Sequence, residues 1–293
     1  MKFYTVLSNK KEIVTVSGKS GALYPLKALN IRVSDMNALI TKWDKVRETL
    51  ITKLSEINSD ESNYISLALK DFKILAPIPS PKQDVACLGV NYHDHKKEAA
   101  AGIDFVKTAE TIYFAKRVNR ANDPGGLIPN YDFVDSLDYE AELGVIIGKD
   151  AFHVTPEEAR EHIFGYTIIN DVSARNVQKR HQQWYLGKSL DGYTPMGPCI
   201  VTPDEIGDPH NLEIRCYVNG ELRQNSNTKY MITSVEEAIS ELSQGMTLQS
   251  GTVIATGTPA GVAMGMNPPI WLKSGDTVRC EIENIGILEN TVA

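Results

Sequence analysis

A chain of 293 residues, 42% hydrophobic and 23% charged, has the makeup of a globular protein with room for one large core or two smaller ones. Its formal net charge of -7 argues against nucleic acid or an anionic membrane surface as the main partner. The scattered cysteines Cys87, Cys199, Cys216 and Cys280 form no C-x-x-C pair and suggest neither a zinc site nor a disulfide framework. The N-terminus lacks the apolar length of a signal peptide, and no run approaches the roughly 18 apolar residues of a membrane helix. The expectation is a cytoplasmic protein with reduced thiols.

Along the chain, Phe3–Leu7 and Ile13–Val16 read as short strands. From Met36 to Ile57, apolar residues at Leu39, Ile40, Trp43, Val46, Leu50, Leu54 and Ile57 step by three and four, which predicts one amphipathic helix packed on those strands. Ala76-Pro77-Ile78-Pro79-Ser80-Pro81 is an extended connector and a boundary. Residues 1–75 are therefore expected as a small N-terminal α+β domain, and residues 82–293 as the larger domain. There, Val85–Val90 and Glu142–Ile147 suit buried strands. Leu212, Ile214, Cys216 and Val218 alternate with polar neighbours and run into Asn219-Gly220, a two-residue hairpin signal. Capping boxes at Thr155-Pro156-Glu157-Glu158 and Ser234-Val235-Glu236-Glu237 each predict a helix start, and Gly245 can end the second helix. Strands that do not alternate strictly with helices predict a mixed, β-rich α/β fold rather than a doubly wound sheet.

The stretch Asp138-Tyr139-Glu140-Ala141-Glu142-Leu143 carries the most chemistry. A strand has a side-chain period of two, so Glu140 and Glu142 share one face. Like charges there repel and lose hydration, which calls for a compensating cation. An isolated E-x-E is more simply a solvated sheet edge. Asp171 follows another strand-like run and alone reads as a helix N-cap. Taken together, three oxygen donors at strand ends suit Mg²⁺ or Mn²⁺ better than zinc and leave positions open for a chelating substrate.

His95 and Glu98 stand three apart, so one helical turn places them side by side. A carboxylate there fixes the imidazole tautomer as a general base requires, although an exposed pair of little energy is the plainer alternative. The segment after it, Ala99 to Phe105, is small and flexible enough for a lid. Lys188, between Gly187 and Ser189, is a surface lysine by default. Beside a developing enolate it would be a fixed positive charge. Ile254 to Val262 reads as a strand entering a glycine-flanked loop that could offer hydroxyls and N–H groups to a carboxylate.

Gly89-Val90-Asn91-Tyr92…His95…Glu98, Asp138 to Leu143, Asn170-Asp171-Val172-Ser173-Ala174-Arg175, Gly187-Lys188-Ser189, Pro195-Met196-Gly197-Pro198 and Thr256-Gly257-Thr258-Pro259 occur in that order. Together they closely resemble the fumarylacetoacetate hydrolase family, from about residue 82 onward. The resemblance implies a catalytic domain built on a rolled, barrel-like β-sheet, usually in a homodimer. It implies Mg²⁺ or Mn²⁺ held by Glu140, Glu142 and Asp171, with Lys188 near the substrate. His95 and Glu98 would be the dyad on a mobile lid, and Gln178 and Thr258 would touch the 2-oxo acid end of the substrate. Lys116, with Arg117 and Arg120 as alternatives, is the candidate to meet a second carboxylate.

The expected function is cleavage of a C–C bond in a small 2-oxo or β-diketo acid through an enolate. The Gln178-to-His181 and Gly187-to-Asp191 segments look most like bacterial members that decarboxylate oxaloacetate or cleave acylpyruvates. The alternative is an isomerase of a 2-hydroxy-diene dicarboxylate using the same ion and dyad. A third reading is a metal-binding scaffold without activity, against which the dyad and Lys188 argue.

Overall fold

The two N-terminal runs pair as an antiparallel hairpin, Lys2–Ser8 against Lys11–Ser17, turned by Asn9 and Lys10 at positive φ. The computed structural model describes residues 1–68, 72–100 and 110–293. The segment expected as a lid lies outside them beyond residue 100.

The hairpin is continuous with the rest of the molecule. Lys2 and Phe3 pair with Val201 and Ile200 of the strand Met196–Val201, which makes the hairpin part of a 10-stranded sheet. Beyond Met196–Val201 the order runs through Ile163–Asn170, Ala141–Ile147, Val253–Ala255 and Val85–Gly89 to Ile112–Lys116. The other end is Leu23–Pro25, and the two end strands do not pair with each other. Among the described residues the expected barrel-like closure is therefore absent, and the sheet is open.

Residues 1–75, expected as a domain of their own, share a core with the remainder. Phe3, Val16, Leu50 and Ile57 cluster with Val85, Phe164, Ile200 and Val253. The proline-rich connector is buried too: Thr5 Oγ1 donates to Pro77 O at 2.7 Å, and neither Ala76 nor Ile78 is exposed. Proline has no N–H to leave unpaired, so such a segment can run between packed elements at low cost.

The single helix expected over Met36 to Ile57 is two helices, Met36–Thr41 and Trp43–Ser59, parted by Lys42 at φ -98° and ψ 9°. Asp35 caps the first by accepting the Ala38 N–H at 2.8 Å. At the break, Trp43 packs edge-on against Phe3 and Phe164, with ring centroids 5.8 and 5.1 Å away. Leu50, Leu54 and Ile57 stay on the buried stripe.

Alternation along Ala141–Ile147 divides the core. Ala141, Leu143, Val145 and Ile147 pack with Ile214, Cys216, Val278 and Cys280 of a 5-stranded sheet, whereas Ile146 joins the cluster of the N-terminal elements. The hairpin expected at Asn219-Gly220 joins Glu213–Val218 to Glu221–Asn227, with both turn residues at positive φ. Both capping boxes form, at the starts of Pro156–Ala159 and Val235–Ser243. The four cysteines are free and buried, and no described helix is long and apolar enough to cross a membrane.

Candidate active site

Strand register assembles the acidic group. Ile163–Asn170 runs antiparallel to Ala141–Ile147, with Ile169 opposite Glu142 and Asn170 opposite Ala141. The next residue, Asp171, thereby arrives beside Glu140. Its N–H donates to Glu140 O at 2.8 Å, and Asn170 Oδ1 accepts the Glu140 N–H at 3.0 Å. One carboxylate oxygen from each of Glu140, Glu142 and Asp171 lies within 4.8 Å of the others, and all three residues are buried.

Charge is unevenly shared in this group. Buried Asp138 joins the three carboxylates, and the buried cations beside them are Lys116, Arg175 and Lys188. Lys188 donates to Glu140 and, at 2.8 Å, to Asp171. Arg175 donates from Nη2 to Glu140 at 2.6 Å and from Nε to Asp138 at 2.8 Å. Lys116 donates to Asp171, to Tyr193 O at 2.8 Å and to Val172 O at 3.2 Å. Glu142 accepts the Gly257 N–H at 2.9 Å and has no ion pair among the described residues.

The titration of these groups follows from that arrangement. Burial raises the Glu142 carboxyl, and Asp171 and Glu140 raise it further, well above the usual carboxylate range. Burial also pushes Glu140 upward, but Arg175 and Lys188 outweigh it and hold Glu140 well below its usual range. Burial alone would lower Lys188; Asp171 and Glu140 more than reverse this. Oxygen donors close enough to share an ion, two of them oriented by cations and the third lacking a counter-charge, fit a hard divalent cation.

The second half of the site grows from Val85–Gly89. That strand leads through Val90, at φ 56°, into the helix His93–Ala100. A β-branched residue in the left-handed region is strained, so its neighbours must hold it. Asn91 does this: Nδ2 donates to Thr233 O at 2.9 Å and Thr256 O at 2.8 Å, and Oδ1 accepts the Thr233 N–H at 2.7 Å. The helix sets His95 Nδ1 2.9 Å from Glu98 Oε2, and Glu98 Oε1 accepts the Gly261 N–H at 3.1 Å.

His95, the three carboxylates and Lys188 line one cavity of about 20 Å³, room for one water-sized occupant. Phe114 and Trp184 also line it, in edge-on contact with ring centroids 5.0 Å apart, and Lys188 Nζ lies 5.2 Å from the Phe114 centroid. Gln178 and Thr258 line the same cavity. Gln178 Oε1 accepts from Arg175 Nη1 at 3.1 Å. Thr258 Oγ1 donates to Ala141 O at 2.9 Å and accepts from Gln224 Nε2 at 2.7 Å.

Lys116 is placed differently from the expectation of a substrate contact. Its three acceptors use up the protons of its ammonium, and it is not among the cavity-lining residues. Arg117 is exposed, and Arg120 donates to Glu12 at 3.0 Å on the surface. Sequence reasoning misses Asp138 and Arg175, which together flank Glu140. One signal points to Asp138, since the period of two that unites Glu140 and Glu142 reaches back to it; Arg175 opens the helix Arg175–Arg180 just after the strand Ser173–Ala174.

Comparison with known proteins adds to this geometry. The fumarylacetoacetate (FAA) hydrolase C-terminal family matches residues 84–293. Oxaloacetate tautomerase YisK of Bacillus subtilis (strain 168) is 43% identical over 235 residues, 80% of this chain and 77% of that protein. The solved fumarylacetoacetate hydrolase of the psychrophile Exiguobacterium antarcticum is 38% identical with a TM-score of 0.82, covering 100% of this chain and 99% of that one. Maleylpyruvate hydrolase from Sphingobium sp. SYK-6, solved with manganese(II) and pyruvate, is 25% identical with a TM-score of 0.77, at 100% and 99% coverage. A family match across residues 84–293 and a relative of such identity over most of the chain lead to one conclusion: this protein belongs to the fumarylacetoacetate hydrolase family.

Proposed function

We propose that this protein is a divalent-cation-dependent enzyme that interconverts the keto and enol forms of a small 2-oxo dicarboxylic acid of the oxaloacetate class. The observation that carries this reading is Glu142, a buried carboxylate with no ion pair among the described residues, set among oxygen donors on the cavity that His95 also lines. The similarity to oxaloacetate tautomerase YisK supports the choice of reaction.

Glu140, Glu142 and Asp171 would hold the ion, which supplies a Lewis-acid centre for the carboxylate and ketone oxygens of a 2-oxo acid. Lys188 adds a fixed positive charge where negative charge develops on the ketone oxygen. Glu98 keeps the proton of His95 on Nδ1, so that Nε2 is free to accept one. His95 Nε2 then takes a proton from the carbon next to the ketone and returns it to the oxygen side. Phe114 and Trp184 wall one side of the cavity with apolar surface. Lys116 and Arg175 orient Asp171 and Glu140 and do not meet the substrate's far carboxylate.

C–C cleavage is the second reading, favoured by the similarity to maleylpyruvate hydrolase and by the same enolate-forming groups. Tautomerisation asks less of the site: one base and one sink of positive charge. Hydrolysis also needs a water held against a second carbonyl. NMR of oxaloacetate in D₂O, with Mg²⁺ or Mn²⁺ and then with chelator, separates the readings. Tautomerisation predicts accelerated exchange of the methylene protons with no loss of the four-carbon acid. Formation of pyruvate and CO₂ would move the protein to the cleavage reading, and no effect on a panel of 2-oxo acids would remove both.

A further inference from the structure

We propose that Asp138 is a positioning residue that governs the His95–Glu98 pair from the acidic side of the site. Asp138 ends the short strand Leu137–Asp138, is fully buried and does not line the cavity. Its carboxylate nevertheless accepts four hydrogen bonds. Oδ1 takes the Tyr139 N–H at 2.9 Å and the Ala263 N–H at 2.8 Å. Oδ2 takes the Met264 N–H at 3.2 Å and Arg175 Nε at 2.8 Å.

These partners lead to both halves of the site. Arg175 continues to Glu140 through Nη2. The loop that holds Ala263 and Met264 also holds Gly261, whose N–H donates to Glu98 at 3.1 Å. Tyr139 adds another clamp, its hydroxyl donating to Gly261 O at 2.9 Å. Residues 138 and 139 thus grip the loop at Gly261, Ala263 and Met264, and this loop seats the carboxylate that orients His95. A neutral side chain has too few acceptor sites for three amides and a guanidinium, whereas an ionised carboxylate has about four. The sequence alone gives Asp138 no such role, because Arg175, Ala263 and Met264 lie 37, 125 and 126 residues away.

The inference rests on the reading of His95 as the base. Its test uses the full chain with Mg²⁺ and compares Asp138→Asn, Glu98→Gln, the double variant and Tyr139→Phe. One readout is the ¹⁵N NMR signature of the His95 ring, assigned with His95→Asn. The other is kcat/KM for oxaloacetate tautomerisation.

Asp138→Asn is expected to shift the His95 tautomer towards the Glu98→Gln pattern and to lower kcat/KM at least tenfold. The double variant should show the His95 signature of Glu98→Gln with no further shift. An unchanged His95 signature in Asp138→Asn, or a further shift in the double variant, would overturn the proposal. Should Asp138→Asn fail to fold, Tyr139→Phe must move the His95 signal in the same direction with a two- to fivefold loss, and an unmoved signal sinks the idea. If Glu98→Gln alters the tautomer but not turnover, the functional reading fails while the positional one stands.

Discussion

Glu142 accepts the Gly257 N–H at 2.9 Å and forms no ion pair among the described residues, whereas Glu140, two residues away, is ion-paired to both Arg175 and Lys188. A buried carboxylate without an ion pair destabilises the folded chain, which must either hold it ionised or take up a proton. Glu142→Gln should therefore stabilise the metal-free protein at neutral pH by about 1–3 kcal/mol, because the amide oxygen still accepts the Gly257 N–H. The same change should abolish Mg²⁺-dependent turnover. Thermal melts in chelator and an activity assay check the two halves, and a variant less stable than the parent would mean that Glu142 is not the uncompensated charge.

The two glutamates respond to pH in opposite senses. The raised Glu142 lets the folded chain keep a proton that the unfolded chain has released, so its contribution to stability falls as pH climbs from the ordinary 4.5 towards the raised value. The depressed Glu140 contributes fully above 4.5, and that contribution is lost as pH falls towards its lowered value. An ion must displace the Glu142 proton, so Mg²⁺ affinity should rise with pH across the Glu142 window. Calorimetric titration in buffers of different ionisation enthalpy should detect up to one proton released per ion, and pH-independent binding would count against it.

Lys116 donates to Asp171 with both side chains fully buried. Removing one partner of a buried pair costs about 3–5 kcal/mol where the other charge is left alone. Because Lys188 still donates to Asp171 at 2.8 Å, the loss should fall at or below the lower end of that range. Lys116→Met should show this in denaturant unfolding, together with weaker Mg²⁺ binding. A raised KM with unchanged stability would instead restore Lys116 as a substrate contact.

Gly89 is the floor beneath Trp184: a Cβ there would lie 2.4 Å from the indole ring. Gly89→Ala must push the indole edge out of its seat on the cavity wall. We expect a shift in tryptophan fluorescence that is absent in a Trp184→Phe background, and a stability loss of about 1–3 kcal/mol from overpacking. An unmoved spectrum would show that Trp184 adapts without changing its surroundings.

Features set by neighbours along the chain are legible in the sequence. The common face of Glu140 and Glu142, the His95–Glu98 turn, both capping boxes and the Asn219-Gly220 hairpin each depend on a few consecutive residues. The break at Lys42 is not legible, because the stripe of three- and four-residue steps passes through it unchanged. Its rationale is the packing of Trp43 on Phe3 and Phe164, two rings remote in sequence. The proline connector misleads in a similar way, since a segment poor in N–H donors suits a linker and a buried crossing equally well.

Local order alone determined which acidic and basic side chains stand on which strand or helix, and it supplied the donors of a cation site. Which charge neutralises which was decided only in three dimensions, where Lys116 reaches Asp171 across 55 residues and Glu142 is left without an ion pair among the described residues. Coulomb energy depends on distance through a poorly screening interior, and separation along the chain does not enter it.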